Sequence, residues 1–391
     1  MTDPAANLHR TLLGGLSPRE FMAQHWQKKR RLMRAAIPVF QELLDVEALW
    51  KLAASHEVES RLVIRDGKKW TLEQGPFNKK RRAALPDRHW TLLVQGLNLH
   101  VPAADALLRR FNFLPYARLD DVMVSLAAPG GGVGPHFDSY DVFLLQGIGC
   151  RQWKLSEQTD LELEPNAPLK ILKKMRATET HELTAGDLLY LPPQVAHEGI
   201  AAQETGFCTT YSIGFRAPTQ QEIADSFLDW IGATSELEGR LSDPDLPATQ
   251  NPARIPKIYQ REIFAAIEQL QMDRSAIRQF AGCFATDLKP QVTFEPPEPA
   301  LSRAAFAKAA AHTDAGGVAF AAATLCLYDD EFLFINGEAF VIKGDATFWR
   351  TFADERRAVV STKQASETID ALYAWYLDGW LYVGAPISRL A

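Results

Sequence analysis

Four cysteines, at positions 150, 208, 283 and 326, are too few and too scattered for a disulfide framework. None stands in a Cys-x-x-Cys pair, so no zinc knuckle is indicated, and a reducing cytoplasm is the expected setting. No apolar run approaches the roughly 18 residues a membrane helix needs, so no membrane partner is expected. The opening "MTDPAANLHRTLLGGLSPREF" lacks the charged start, apolar core and cleavage site of an export signal. There is no excess of positive charge. With 42 Lys and Arg against 48 Asp and Glu, the net charge of −6 argues against direct nucleic-acid binding and permits a basic partner. Internal repeats and low-complexity tracts are also missing. The run "GGGVG" (130–134) has no Gly-Lys-Ser/Thr after it and leads into a β-like segment, which excludes a phosphate loop. Its expected role is a side-chain-poor approach where a substrate backbone comes close.

What is present is an ordinary globular composition, long enough at 391 residues for two or three domains. "SPREFMAQHWQKK" (17–29) opens with Ser17 and Glu20 at capping-box spacing and predicts an amphipathic helix. A second helix is expected at 45–54. From 121 to 215 short runs rich in Val, Leu, Phe and Tyr alternate with Gly, Pro and Asp turns, which predicts an antiparallel jelly roll rather than βαβ units. Thr219 and Glu222 cap a helix with Ile223, Phe227 and Ile231 on one face, and further helical patterns follow to 289. This stretch is too small for an independent core and is expected to pack on the barrel, on the last segment or on a second copy. "PQVTFEPPEPALS" (290–302) reads as a linker. "EFLFINGEAFVI" (331–342) holds Asn336-Gly337 between two β runs, a strong hairpin signal, and a small α+β domain of winged-helix type fits the remainder.

The chemistry gathers in "PHFDSYDVFLL" (135–145). Read as a strand, it places His136 and Asp138 on one face. A second histidine from a distant strand would complete a two-histidine, one-carboxylate site of the kind that suits Fe(II) with open positions. "AGDLLYLPPQVAHEGI" (185–200) offers it. Gly186-Asp187 turn, "LLYL" is a strand, and the chain returns through proline to His197, as in cupin barrels, although Gln194 stands where many cupins have glycine. An oxygenase of this type that uses 2-oxoglutarate needs a cation for the far carboxylate of the co-substrate, best a guanidinium. Arg151, fifteen positions beyond His136, is the candidate, with a solvated strand arginine as the alternative.

The segments "DDVMVSLAAPGGGVGPHFDSYDVFLLQGIGCRQW", "LTAGDLLYLPPQVAHEGIA" and "YSIGFRAPTQQEI" resemble the bacterial ribosomal oxygenases, JmjC-type protein hydroxylases dependent on Fe(II) and 2-oxoglutarate. The resemblance implies an α+β chain with three parts. They are a JmjC/cupin double-stranded β-helix domain with N-terminal helices (1–216), a helical dimerisation region (217–289) and a winged-helix-like domain (290–391). It implies His136, Asp138 and His197 as iron ligands, Arg151 as the 2-oxoglutarate anchor, and Ser212, with Thr210 beside it, as an aid to co-substrate binding. It further implies O2 as oxidant, a homodimer, and a basic ribosomal protein as substrate, hydroxylated at the β-carbon of an arginine of large-subunit protein L-sixteen. The same chemistry on another residue such as histidine, and a non-catalytic cupin adaptor for a basic protein, are the alternatives. A target guanidinium would need carboxylates at the barrel mouth, for which Asp120, Asp121 and Asp141 are available. The two "KKRR" runs, at 28–31 and 79–82, read as solvated faces rather than RNA contacts.

Overall fold

The computed structural model describes residues 4–244, 246–270, 272–312, 317–361 and 364–384. Its first part contains helices α1 (Pro4–Leu12), α2 (Pro18–Gln24), α3 (Val46–Ala53), α4 (Lys79–Ala83) and α5 (Pro102–Arg109). The strands there are β1 (Arg31–Met33), β2 (Ser60–Asp66), β3 (Lys69–Gln74), β4 (Trp90–Val94), β5 (Leu119–Ala127), β6 (Val142–Gln146), β7 (Arg151–Ser156), β8 (Glu179–Leu183), β9 (Leu188–Leu191), β10 (Ala196–Ala201) and β11 (Cys208–Phe215). They form two antiparallel sheets, one in the order β1-β9-β6-β11-β5-β4-β2-β3 and one in the order β10-β7-β8.

The strands at the centre of the large sheet are apolar throughout because both their faces are covered. On β6 and β9, Phe143, Leu145, Leu188 and Tyr190 join a core with Leu12, Phe21, Trp50 and Phe111 from the N-terminal helices and loops. Their neighbours Val142, Leu144, Leu189 and Leu191 point the other way and meet Trp153, Leu155 and Leu183 of the small sheet. The two-residue period of a strand thus divides one hydrophobic run between two cores.

Helix α2 carries the expected capping box but stops at Gln24, short of the predicted end. Gln27 adopts a positive φ of 54° and turns its amide onto Tyr190 Oη at 2.8 Å. Tertiary bonding therefore ends the helix where sequence periodicity would have continued it.

Past residue 216 come α6 (Gln220–Thr234), α7 (Lys257–Glu268) and α8 (Arg274–Thr286). Thr219 and Glu222 form the capping box of α6, with the Thr219 N–H donating to Glu222 Oε2 at 2.6 Å. Ile231 is buried, whereas Ile223 is exposed. No residue of α7 is buried. The last part holds α9 (Arg303–Ala310), β12 (Val318–Phe320), β13 (Cys326–Tyr328), β14 (Phe332–Ile335), β15 (Glu338–Val341), α10 (Ala346–Glu355), β16 (Arg357–Ala358), α11 (Ser366–Leu377) and β17 (Leu381–Val383). Asn336 and Gly337, with φ of 50° and 88°, form the tight turn between β14 and β15. Helix α8 lies against that hairpin. A Cβ at Gly282 would stand 2.3 Å from the Phe334 ring, so the glycine sets the approach.

Candidate active site

His136 and His197 face each other as an isolated antiparallel pair. Each N–H donates to the other's carbonyl, at 2.9 and 2.8 Å. The expected continuous strand through 136–145 is therefore not what forms, because β6 begins only at Val142. Residues 136–138 are drawn instead against the turn before β10, where the Gln194 N–H donates to Asp138 O at 2.8 Å. Asp138 still reaches the histidines, with Oδ2 3.7 Å from His197 Nε2. One potential ligand atom from each of His136, Asp138 and His197 lies within 4.8 Å of the others.

The histidines are held in a definite sense. His136 Nδ1 lies 2.9 Å from Gly134 O and His197 Nδ1 lies 2.8 Å from Val195 O. A carbonyl only accepts, so each Nδ1 carries the proton and each Nε2 presents a lone pair. Burial, reinforced by His136, pushes the His197 imidazole down to about 3, so it is neutral near pH 7. Burial raises the Asp138 carboxyl, against the pull of His136 and Lys170. Two imidazoles whose Nδ1 atoms are engaged by backbone carbonyls, together with a carboxyl group, match the donor set of a divalent first-row metal.

Arg151 opens β7 and is only 4% exposed. Its Nη2 donates to Ser125 Oγ at 3.4 Å, its Nε has no partner, and among the described residues no carboxylate pairs with it. A buried guanidinium without a counter-ion is costly unless an anion completes it. Arg151, the three potential ligands, Thr210 and Ser212 all line one cavity of about 150 Å³. Thr210 is engaged with Gln146, its Oγ1 3.2 Å from Oε1. Ser125, which the sequence reading missed, sits nearer the guanidinium. The alternation of Met123 and Ser125 with buried Val122, Val124 and Leu126 on β5 was the available signal. Met123, Tyr140 and Trp153 also line the cavity and were missed.

Three expectations need correction. Asp141 does not reach the mouth. It is fully buried and accepts from Tyr190 Oη at 2.6 Å and Gln27 Nε2 at 2.9 Å. Asp120 and Asp121 do line the cavity but are engaged: Lys289 Nζ stands 2.7 Å from Asp120, and Gln95 Nε2 donates to Asp121 at 2.6 Å. Gly131 and Gly132 face the chain's own backbone on the side where a Cβ would point. A Cβ at Gly131 would lie 2.2 Å from Trp90 O, and one at Gly132 2.5 Å from Gly199 O. The chain itself fills that space.

This fold and donor set define a JmjC-type barrel oxygenase. A JmjC domain matches residues 106–223 and a ROXA-like winged helix matches residues 269–382. Ribosomal protein uL16 3-hydroxylase of Escherichia coli (strain K12) is 36% identical over 283 residues, 72% of this chain and 74% of that protein. The X-ray structure of E. coli ycfD superposes with a TM-score of 0.80 at 29% identity, covering 94% of this chain and 98% of that one. YcfD, a ribosomal oxygenase from Escherichia coli, in complex with cobalt and 2-oxoglutarate, matches with a TM-score of 0.74 at the same identity and coverage. The chain belongs to the ribosomal oxygenases, the family of the uL16 3-hydroxylase.

Proposed function

We propose that this chain is an Fe(II)- and 2-oxoglutarate-dependent oxygenase that hydroxylates an arginine of ribosomal protein uL16 at its β-carbon. One observation carries the reading. The His136, Asp138 and His197 cluster shares a small cavity with a buried arginine that lacks a counter-ion. His136 and His197 would hold iron through Nε2 and Asp138 through a carboxylate oxygen. Bound iron supplies oxygen activation coupled to oxidative decarboxylation of 2-oxoglutarate to succinate. Arg151 receives the far carboxylate of the co-substrate, Ser125 orients the guanidinium, and Ser212 with Thr210 completes the wall. Trp153, whose ring centroid is 5.7 Å from that of His197, walls the site with apolar surface.

The chain works as a homodimer in the cytoplasm, where its ribosomal substrate resides. Support for the dimer comes from the middle segment (217–289), whose α7 displays Tyr259, Ile263, Phe264 and Ile267 to solvent. Direct nucleic-acid contact is not part of this reading. In the basic runs Arg30, Arg81 and Arg82 are paired with Glu179, Glu73 and Glu47 of the same chain.

The test is incubation of the full chain with ferrous iron, 2-oxoglutarate and a uL16 peptide. A mass gain of one oxygen atom, mapped by fragment ions to the arginine and by NMR to its β-carbon, with stoichiometric succinate, is expected. Oxygen on a histidine instead would overturn the target assignment. No mass gain at any peptide residue would overturn the reading itself.

A further inference from the structure

A second cavity is larger than the catalytic one. About 560 Å³ in volume, it lies between the first part of the chain and the last, and it meets the catalytic cavity at a single shared residue, Gln95. That volume falls within the range of specific ligand sites, about 300–1,000 Å³. Gln95 is tied to both sides. Its N–H donates to Glu59 O at 2.9 Å, and its Nε2 donates to Asp121 Oδ2 at 2.6 Å. The two cavities therefore adjoin at this residue.

The cleft wall has donors and charges with nothing to bind. Glu57, Glu59 and Glu355 line it, and none has an ion-pair partner among the described residues. The cations present are otherwise engaged, except Arg357. Arg109 pairs with Asp105 at 2.9 Å. Arg356 donates to the carbonyls of Thr324 and Ala321, each at 2.8 Å. Asn98 is only 4% exposed. Its Oδ1 accepts from the Val122 N–H at 2.9 Å, while its Nδ2, on the cleft side, donates to no described group. Unpaired carboxylates select basic side chains, and an unused amide donor suits a peptide carbonyl.

We infer that this cleft is an exosite for the segment of the basic substrate protein next to the hydroxylated residue. The inference rests on the proposed ribosomal-protein substrate. It gives the C-terminal domain a part in substrate recognition, since Phe294, Phe320 and Tyr382 form the opposite wall.

Two uL16 peptides decide the matter, a short one confined to the target residue and its immediate neighbours and a long one extended at both ends. With the intact iron-loaded enzyme, the long peptide has a KM about tenfold lower at similar kcat. The double variant Glu57→Lys, Glu59→Lys, at exposed positions, raises the KM of the long peptide toward that of the short one and weakens its calorimetric binding by the same factor. Equal KM values for the two peptides in the unaltered enzyme overturn the inference, as does a variant that affects both peptides equally. If neither peptide is hydroxylated, the substrate reading has failed. Calorimetry then still judges the cleft, because length-dependent binding abolished by the charge reversal upholds it and length-independent binding removes it.

Discussion

At the scale of single residues, the most informative side chain is Arg151, because burial without a counter-ion is hard to explain structurally. In the proposed anchor role, replacing it by alanine removes one partner of an ion pair with the co-substrate. Such a loss costs at least about 2 kcal/mol, or about thirtyfold in affinity. The expected outcome is a 2-oxoglutarate KM raised by that factor or more, read by succinate formation, with partial recovery in Arg151→Lys. An unchanged KM would remove the anchor role. The contrast with Asp141 shows what sequence can and cannot reveal about a residue. His136, Asp138 and His197 were legible because each sits in a local pattern whose spacing carries chemical meaning. Asp141 was misjudged because its partners, Tyr190 and Gln27, come from distant parts of the chain. Lys289 on Asp120 was invisible for the same reason.

At the scale of elements, the strand pattern predicted the jelly roll because alternation and turn residues are local, while strand ends depend on partners that are not. The link between the N-terminal segment and β8 is a case where sequence said little. Glu179 on β8 takes Arg30 as its partner, and Arg30 also pairs with Glu157 at 2.9 Å. Hydrogen bonds from Arg30, then from His181, hold the Glu179 carboxyl down to about 2 against an ordinary 4.5. The folded state keeps this group ionised while the unfolded chain protonates it, so the stabilisation is present above pH 4.5 and is lost as pH falls from about 4.5 to about 2. The pair is partly solvent-exposed and therefore weakened by salt. Glu179→Gln should flatten the fall in chemical-denaturation midpoint across that window at low ionic strength. A slope identical to that of the unaltered protein would show that the pair contributes nothing.

At the scale of the whole molecule, α7 stands out as a helix whose apolar residues face solvent. Ile263, Phe264 and Ile267 are 40%, 64% and 50% exposed. A helix of this kind is stable in a globular protein when another surface covers it. Light scattering at micromolar concentration is expected to give twice the chain mass, and Phe264→Asp is expected to give a monomer. A monomeric unaltered protein would leave the helix without its proposed cover. The capped helix past residue 216 and the Asn336-Gly337 hairpin were readable from local sequence. How closely α8 sits on the β14–β15 hairpin was not, since the fit depends on the missing side chain of Gly282 meeting a phenylalanine 52 positions later.

The glycine run beside the His136, Asp138 and His197 cluster also changes how a sequence motif should be interpreted. Gly130 donates to Ala201 O at 3.0 Å, Ala201 donates back to Gly131 O at 2.9 Å, and Gly132 rests on Gly199 O. The run is thus the seam along which the two sheets are stitched, with backbone laid on backbone. The composition of Gly130 to Gly132 answers to the geometry of closure, while Gly134 O holds the His136 ring. A search keyed to those glycines would recover barrels that close in this manner whatever reaction they perform, and the chemical identity of the protein must be read from the residues that follow.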